Sequence, residues 1–127
     1  MGLRVTRLVA DADGETHLVD VELPTEVHPD SGVSRIEIPV TRMVYVEYPP
    51  DRAEVMSGWH STPLPRHFMV SVSGGFEVTT TSGDTKGFAP GDWLLCDDLE
   101  GKGHRTRGLG EPRVNLVLDI PEDWPVP

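Results

Sequence analysis

Apolar positions recur at every second residue over short stretches, and turn residues separate these stretches. Val19, Val21 and Leu23 alternate with polar neighbours, as do Ile36, Ile38 and Val40. Successive side chains of an extended strand point to opposite faces, so this period is that of half-buried strands. The spacing predicts strands over Arg4–Ala10, Glu15–Leu23, Arg35–Val40, Met43–Tyr48, His67–Ser73, Phe76–Thr81, Trp93–Cys96, His104–Arg107 and Arg113–Ile120. Turn chemistry falls between them: Asp11–Gly14, Pro49-Pro50, Gly74-Gly75, Ser82-Gly83-Asp84 and Ala89-Pro90-Gly91-Asp92. Gly74-Gly75 is a tight-hairpin signal. The polar stretch Thr25–Ser34 reads as a surface loop, and the tail from Pro121 as extended and irregular. No window keeps helical spacing through three turns. Short strands with regular turns predict an all-β fold, an antiparallel barrel or jelly roll with little or no helix.

Composition sets the scale. The chain of 127 residues fits a single domain spanning 1–127, and no internal repeat divides it. Lys+Arg 11 against Asp+Glu 21 gives a net charge of −10. Such a surface repels phosphate backbones, which argues against nucleic acid as a partner. The acid excess itself reads as a solubility device. No apolar run approaches the roughly 18 residues that cross a membrane. The N-terminus carries no apolar h-region, and a lone cysteine, Cys96, allows no internal disulfide. The expectation is a cytoplasmic protein without membrane partners. Gly101-Lys102-Gly103 lacks the spacing of a phosphate loop, so no nucleotide cofactor is expected. The Asp11–Gly14 turn starts like a calcium loop, but the later ligands do not follow.

Chemistry concentrates between positions 58 and 107, flanked by strands over 4–48 and by the 113–120 strand with its tail. This segment reads GWHSTPLPRHFMVSVSGGFEVTTTSGDTKGFAPGDWLLCDDLEGKGHRTR. It resembles the two-motif core of the cupin superfamily. That family's first motif places two histidines one residue apart, then a glutamate, then a glycine. Here His60 matches the first histidine, Thr62 stands where the second falls, His67 takes the glutamate position, and Gly74 follows at the required distance. Pro90-Gly91-Asp92 and His104 match the second motif. The match covers under half of the chain. The resemblance implies a β-barrel with a small-molecule site in its mouth.

Two mechanisms follow from it. In one, His60, His67 and His104 hold a divalent transition metal, Fe, Zn, Ni or Mn, because three neutral imidazoles leave open positions for substrate. That suits dioxygenase or lyase chemistry. Thr62 departs from the motif, since a hydroxyl cannot replace an imidazole. Small cupins with WH…PxR and D…GKGH elements commonly lack the full ligand set. In the other mechanism His60, His104 and Asp98 move protons, and Arg66 stabilises oxyanion charge on an oxygen-rich substrate. That suits an isomerase, cyclase or dehydratase. Trp59, Arg66, Phe68 and Thr106 complete the expected substrate contacts. A non-catalytic module that binds a sugar or other small molecule, and a purely structural subunit, are the alternatives.

Strand parity sharpens these expectations. Arg105 and Arg107 belong outside, so His104 and Thr106 point inward. An inward His67 brings Met69 and Ser71 with it and leaves Phe68, Val70 and Val72 on the opposite face. That more apolar face then needs a cover, from another strand or from a second subunit, and it motivates a homodimer. Cys96 reads as a packing residue, and His17 and His28 as ordinary surface histidines.

Overall fold

A computed structural model describes residues 2–50, 59–62 and 65–127. Eleven strands are present among them, with no α-helix. They are β1 (Gly2–Ala10), β2 (Thr16–Pro24), β3 (Glu26–Val27), β4 (Ser34–Arg35), β5 (Arg42–Tyr48) and β6 (His67–Ser73). Then follow β7 (Phe76–Thr80), β8 (Thr85–Phe88), β9 (Trp93–Cys96), β10 (His104–Gly108) and β11 (Arg113–Asp119). The all-β expectation holds. Six strands form one sheet in the order β2-β1-β9-β6-β11-β5, and three form a second in the order β10-β7-β8. The pair β3-β4 closes a small hairpin within the stretch expected to be a loop.

The pairing is not wholly antiparallel. β1 runs parallel to β9, with Thr6 opposite Leu94 and Leu8 opposite Cys96. Strands so far apart in sequence share no tight turn, so nothing local forces opposite directions. The expected strand over Arg35–Val40 also shortens to β4. Ile36 and Ile38 still alternate, yet they pack against the core without a ladder partner. Their period reports burial, not pairing.

Both faces of the six-stranded sheet are buried along its central strands. On one face Leu8, Leu94 and Cys96 meet Phe76, Val78 and Phe88 of the small sheet, with Leu18 and Met69 packed alongside. Phe76 and Phe88 stack with centroids 4.9 Å apart. On the other face Val5, Leu23, Phe68, Leu95 and Ile120 form a second cluster, covered by Ile36, Ile38, Trp93, Trp124 and Val126. Adjacent residues of one strand thus serve different cores, as Phe68 and Met69 do. Each fully buried Phe or Leu contributes about 1.5–3 kcal/mol.

This second cluster supplies the cover that the His67 strand requires. It comes from the chain itself, through the segment after β4 and the C-terminal tail. Phe68 is 0 % exposed and lies edge-on to Trp93 and Trp124. This corrects one expectation and removes the motive for another. Phe68 lines no mouth, because it is buried on the face away from His67. The apolar face that motivated a homodimer is also occupied, with only its end residue Val72 well exposed.

Candidate active site

The loop after β9 continues the strand's alternation. Cys96 points to the face shared with the small sheet, Asp97 to the opposite face, and Asp98 back again. Asp97 meets Arg7, whose Nε and Nη2 donate to Oδ2 at 2.8 and 2.5 Å. The Arg66 guanidinium adds an ion pair to Oδ1 at 3.0 Å. Asp98 is fully buried and meets His104, whose Nδ1 lies 2.6 Å from Oδ2. Thr62 donates its hydroxyl to the other carboxylate oxygen. Both oxygens of this buried carboxylate thus have partners, which a group removed from water requires.

Local sequence explains why His104 arrives there. Gly103 has φ +84°, and a Cβ on it would lie 2.4 Å from the His60 carbonyl. Only glycine lets the two segments approach so closely. Thr16, buried beneath, donates its hydroxyl to the Gly103 carbonyl at 2.7 Å. Lys102 pairs with Glu15, and its N–H donates to the Gly14 carbonyl at 2.8 Å. The β1–β2 turn therefore pins the loop. Beyond it, His104 and Thr106 are buried while Arg105 and Arg107 are exposed, as alternation requires.

His60 joins His104 by two reciprocal backbone hydrogen bonds, of 3.0 and 2.9 Å. Residues opposite each other in an antiparallel bridge share a face. Their rings accordingly stand 4.6 Å apart, centroid to centroid. Trp59 faces the other way and is exposed, with the Arg105 guanidinium 5.6 Å from its ring centre. It is not a wall beside His60.

His67 opens β6 on the inner face, opposite Cys96 and Asp119. Its Nδ1 lies 3.2 Å from the Pro65 carbonyl. Burial holds its pKa below the ordinary histidine value, and the nearby charges of Asp119 and Asp98 offset this in part. His67 is near the dyad but outside it. Among the described residues no three His, Cys, Asp or Glu side chains gather into a metal-holding group. The expected three-histidine set therefore has two members side by side and one apart. Thr62 and the His104 Nδ1 are already committed to Asp98.

Arg66 also departs from expectation. Its strand parity matches Phe68, so it lies on the far face. There it is 3 % exposed, and its Nη1 donates to the carbonyls of Pro121, Glu122 and Trp124 at 3.3, 3.2 and 2.8 Å. It anchors the tail and is not available to an oxyanion beside His104. Cys96 is buried, and burial with the Asp98 charge pushes its thiol above the usual thiol range.

The structure thus brings together His60, His104, Asp98 and Thr62. Thr106 shares their strand face two residues from His104. Arg66 and Phe68 lie on the opposite side of the large sheet, and Trp59 on the exposed side of the bridge. Thr62 is the residue whose role sequence reading missed. The signal was its place in the motif, where a ligand was sought and a hydrogen-bond donor stands. Comparison with protein-family models and with curated proteins returns no match.

Proposed function

We propose that the protein is a small cupin-type enzyme that moves protons on an oxygen-rich organic molecule. The observation that carries this reading is the buried array Thr62–Asp98–His104 with His60 against it. A carboxylate on Nδ1 fixes the imidazole tautomer and leaves Nε2 as the basic nitrogen. When Nε2 takes a proton, the adjacent Asp98 charge stabilises the imidazolium. The Thr62 hydroxyl holds Asp98 in place and satisfies its second oxygen. His60 is placed to return a proton at a neighbouring substrate atom. Removing a proton at one atom and delivering one at another is the chemistry of isomerisation, cyclisation and dehydration. No step is routed through a metal ion.

Cellular setting follows the same reading. No described helix is long and apolar enough to cross a membrane. The single cysteine and the strong negative charge favour a cytoplasmic protein that acts on small molecules and not on nucleic acid.

A solvent-exchange screen tests the proposal. A panel of enolisable oxo and hydroxy acids and cyclic ketones is incubated with protein in D2O and followed by proton NMR. We expect deuterium to enter at least one compound with the wild type, and its rate to fall at least about 100-fold in Asp98→Asn, the usual scale of general acid–base assistance. Equal exchange by wild type and His104→Ala, or none in any compound, would overturn it.

A further inference from the structure

Native interiors leave few buried polar atoms without a hydrogen-bond partner, and each one asks for a cause. Five such side-chain atoms occur among the described residues: Arg66 Nε, Ser71 Oγ, Arg113 Nε, Arg113 Nη1 and Asn115 Oδ1. Arg66 Nε is explained, because Asp97 Oδ1 is its ion partner. The other four belong to one patch. Asn115 stands directly opposite Ser71 on β6 and opposite Val46 on β5. Arg113, two residues before Asn115 on β11, stands opposite Tyr48. Cross-strand partners and residues two apart share a face. All three polar side chains therefore point to the side that carries Met69 and His67. They are 4 %, 0 % and 1 % exposed for Arg113, Asn115 and Ser71.

The chemistry of the patch is specific. Arg113 packs its guanidinium over Tyr48, 4.0 Å from the ring centre, with Phe76 at 5.3 Å. These rings cover the faces of the cation and Tyr48 also hydrogen-bonds it, while Nε and Nη1, on different sides of the guanidinium, make no hydrogen bond. No carboxylate pairs with it among the described residues, and burial lowers its pKa from the ordinary arginine value. Asn115 spends its amide nitrogen on the Met69 sulfur at 3.3 Å, a weak acceptor. Whichever way the amide is turned, one end lacks a strong partner. The β6–β11 ladder also shifts here, with Asn115 opposite Ser71 but Val114 opposite Ser73. Such irregularities re-aim side chains. A buried guanidinium with two N–H groups short of an acceptor, beside an open acceptor and a free hydroxyl, is costly unless something completes it.

We infer that Arg113, Asn115 and Ser71 form a binding subsite for a small organic hydroxycarboxylate. The carboxylate accepts from the open Nη1–H of Arg113, and a ligand hydroxyl meets Asn115 and Ser71. Rings on the guanidinium faces favour a group arriving in its plane, which suits a carboxylate. The assignment is independent of proton transfer at His104, because it concerns binding alone.

The test is calorimetric titration of the full chain with lactate, propionate, 1,2-propanediol and inorganic phosphate. In parallel, the Arg113 Nε–H resonance is followed by NMR in the wild type. We expect saturable lactate binding with a shift of that resonance. Propionate, lacking the hydroxyl, should bind about tenfold more weakly, the worth of one good hydrogen bond. Propanediol should not bind. Arg113→Met should lose lactate binding. Phosphate binding as tight as lactate, or a silent Arg113 resonance at saturating lactate, would each overturn the assignment. The wild-type resonance decides the matter even if the variant fails to fold.

Discussion

The two faces of the six-stranded sheet are both buried along its central strands and are built on different rules. The face under the C-terminal tail is almost wholly apolar, with Val5, Leu23, Phe68, Leu95 and Ile120 closed over by Trp93 and Trp124. Arg66 is a charged side chain buried on that side, and three carbonyls and Asp97 surround its guanidinium. The face toward the small sheet mixes Leu8, Leu94 and Phe76 with His67, Ser71, Arg113 and Asn115, and it continues to Asp98 and His104. Several of its polar atoms lack partners. The first face supplies apolar packing, whereas the second also buries polar groups, some satisfied by one another and some without a partner.

That contrast can be broken by experiment. Phe68→Ala should cost about 3–5 kcal/mol in urea unfolding, the range for a large aromatic lost from a packed core. A cost under about 1 kcal/mol would mean that the tail does not seal this face. Arg66→Met should come next, at about 2–3 kcal/mol, because it orphans three carbonyls and leaves Asp97 with Arg7 alone. Its effect on any turnover should follow stability only, and a selective loss of turnover would return Arg66 to the site. Thr62→Val should cost about 1 kcal/mol in stability, the net worth of one hydrogen bond, yet slow proton exchange more than stability predicts.

The smallest expected effect is a pH slope. The pKa of His67 is lowered from 6.5 by burial, so the folded state disfavours its charged form. The unfolded chain then binds more protons over that window. The stability contribution of neutral His67 is full above about pH 6.5 and declines as pH falls toward the lowered folded value. Denaturant midpoints measured between pH 7.5 and 5 should show the decline in the wild type and less of it in His67→Gln. Identical slopes would place His67 in water and not on the inner face.

Much of this architecture was legible in the sequence. Strands β6 and β9 coincide with their expected bounds, and His104–Arg107 gave the parity of β10 correctly. Period-two alternation carries that information directly. Alternation fails where both faces are buried, because the more apolar side no longer marks the interior. Alternation there offers Phe68 and His67, on opposite faces of one strand, as members of the same site. In β11 the polar set Arg113, Asn115 and Asp119 looks like a solvent face, and all three are buried. Arg66 lay beside the motif in sequence and on the far side of the sheet in space. One residue of register decides that difference, and sequence spacing alone does not weigh it.

The tautomer of His104 tests the account most directly. Long-range 15N–1H correlation of ring-labelled protein at neutral pH reports which nitrogen carries the proton. With Asp98 accepting from Nδ1, the neutral ring should be the Nδ1–H form, and Asp98→Asn should shift the population toward Nε2–H. A wild-type ring already in the Nε2–H form would contradict the account, since the basic nitrogen would then be turned to Asp98 and no base would remain for a substrate.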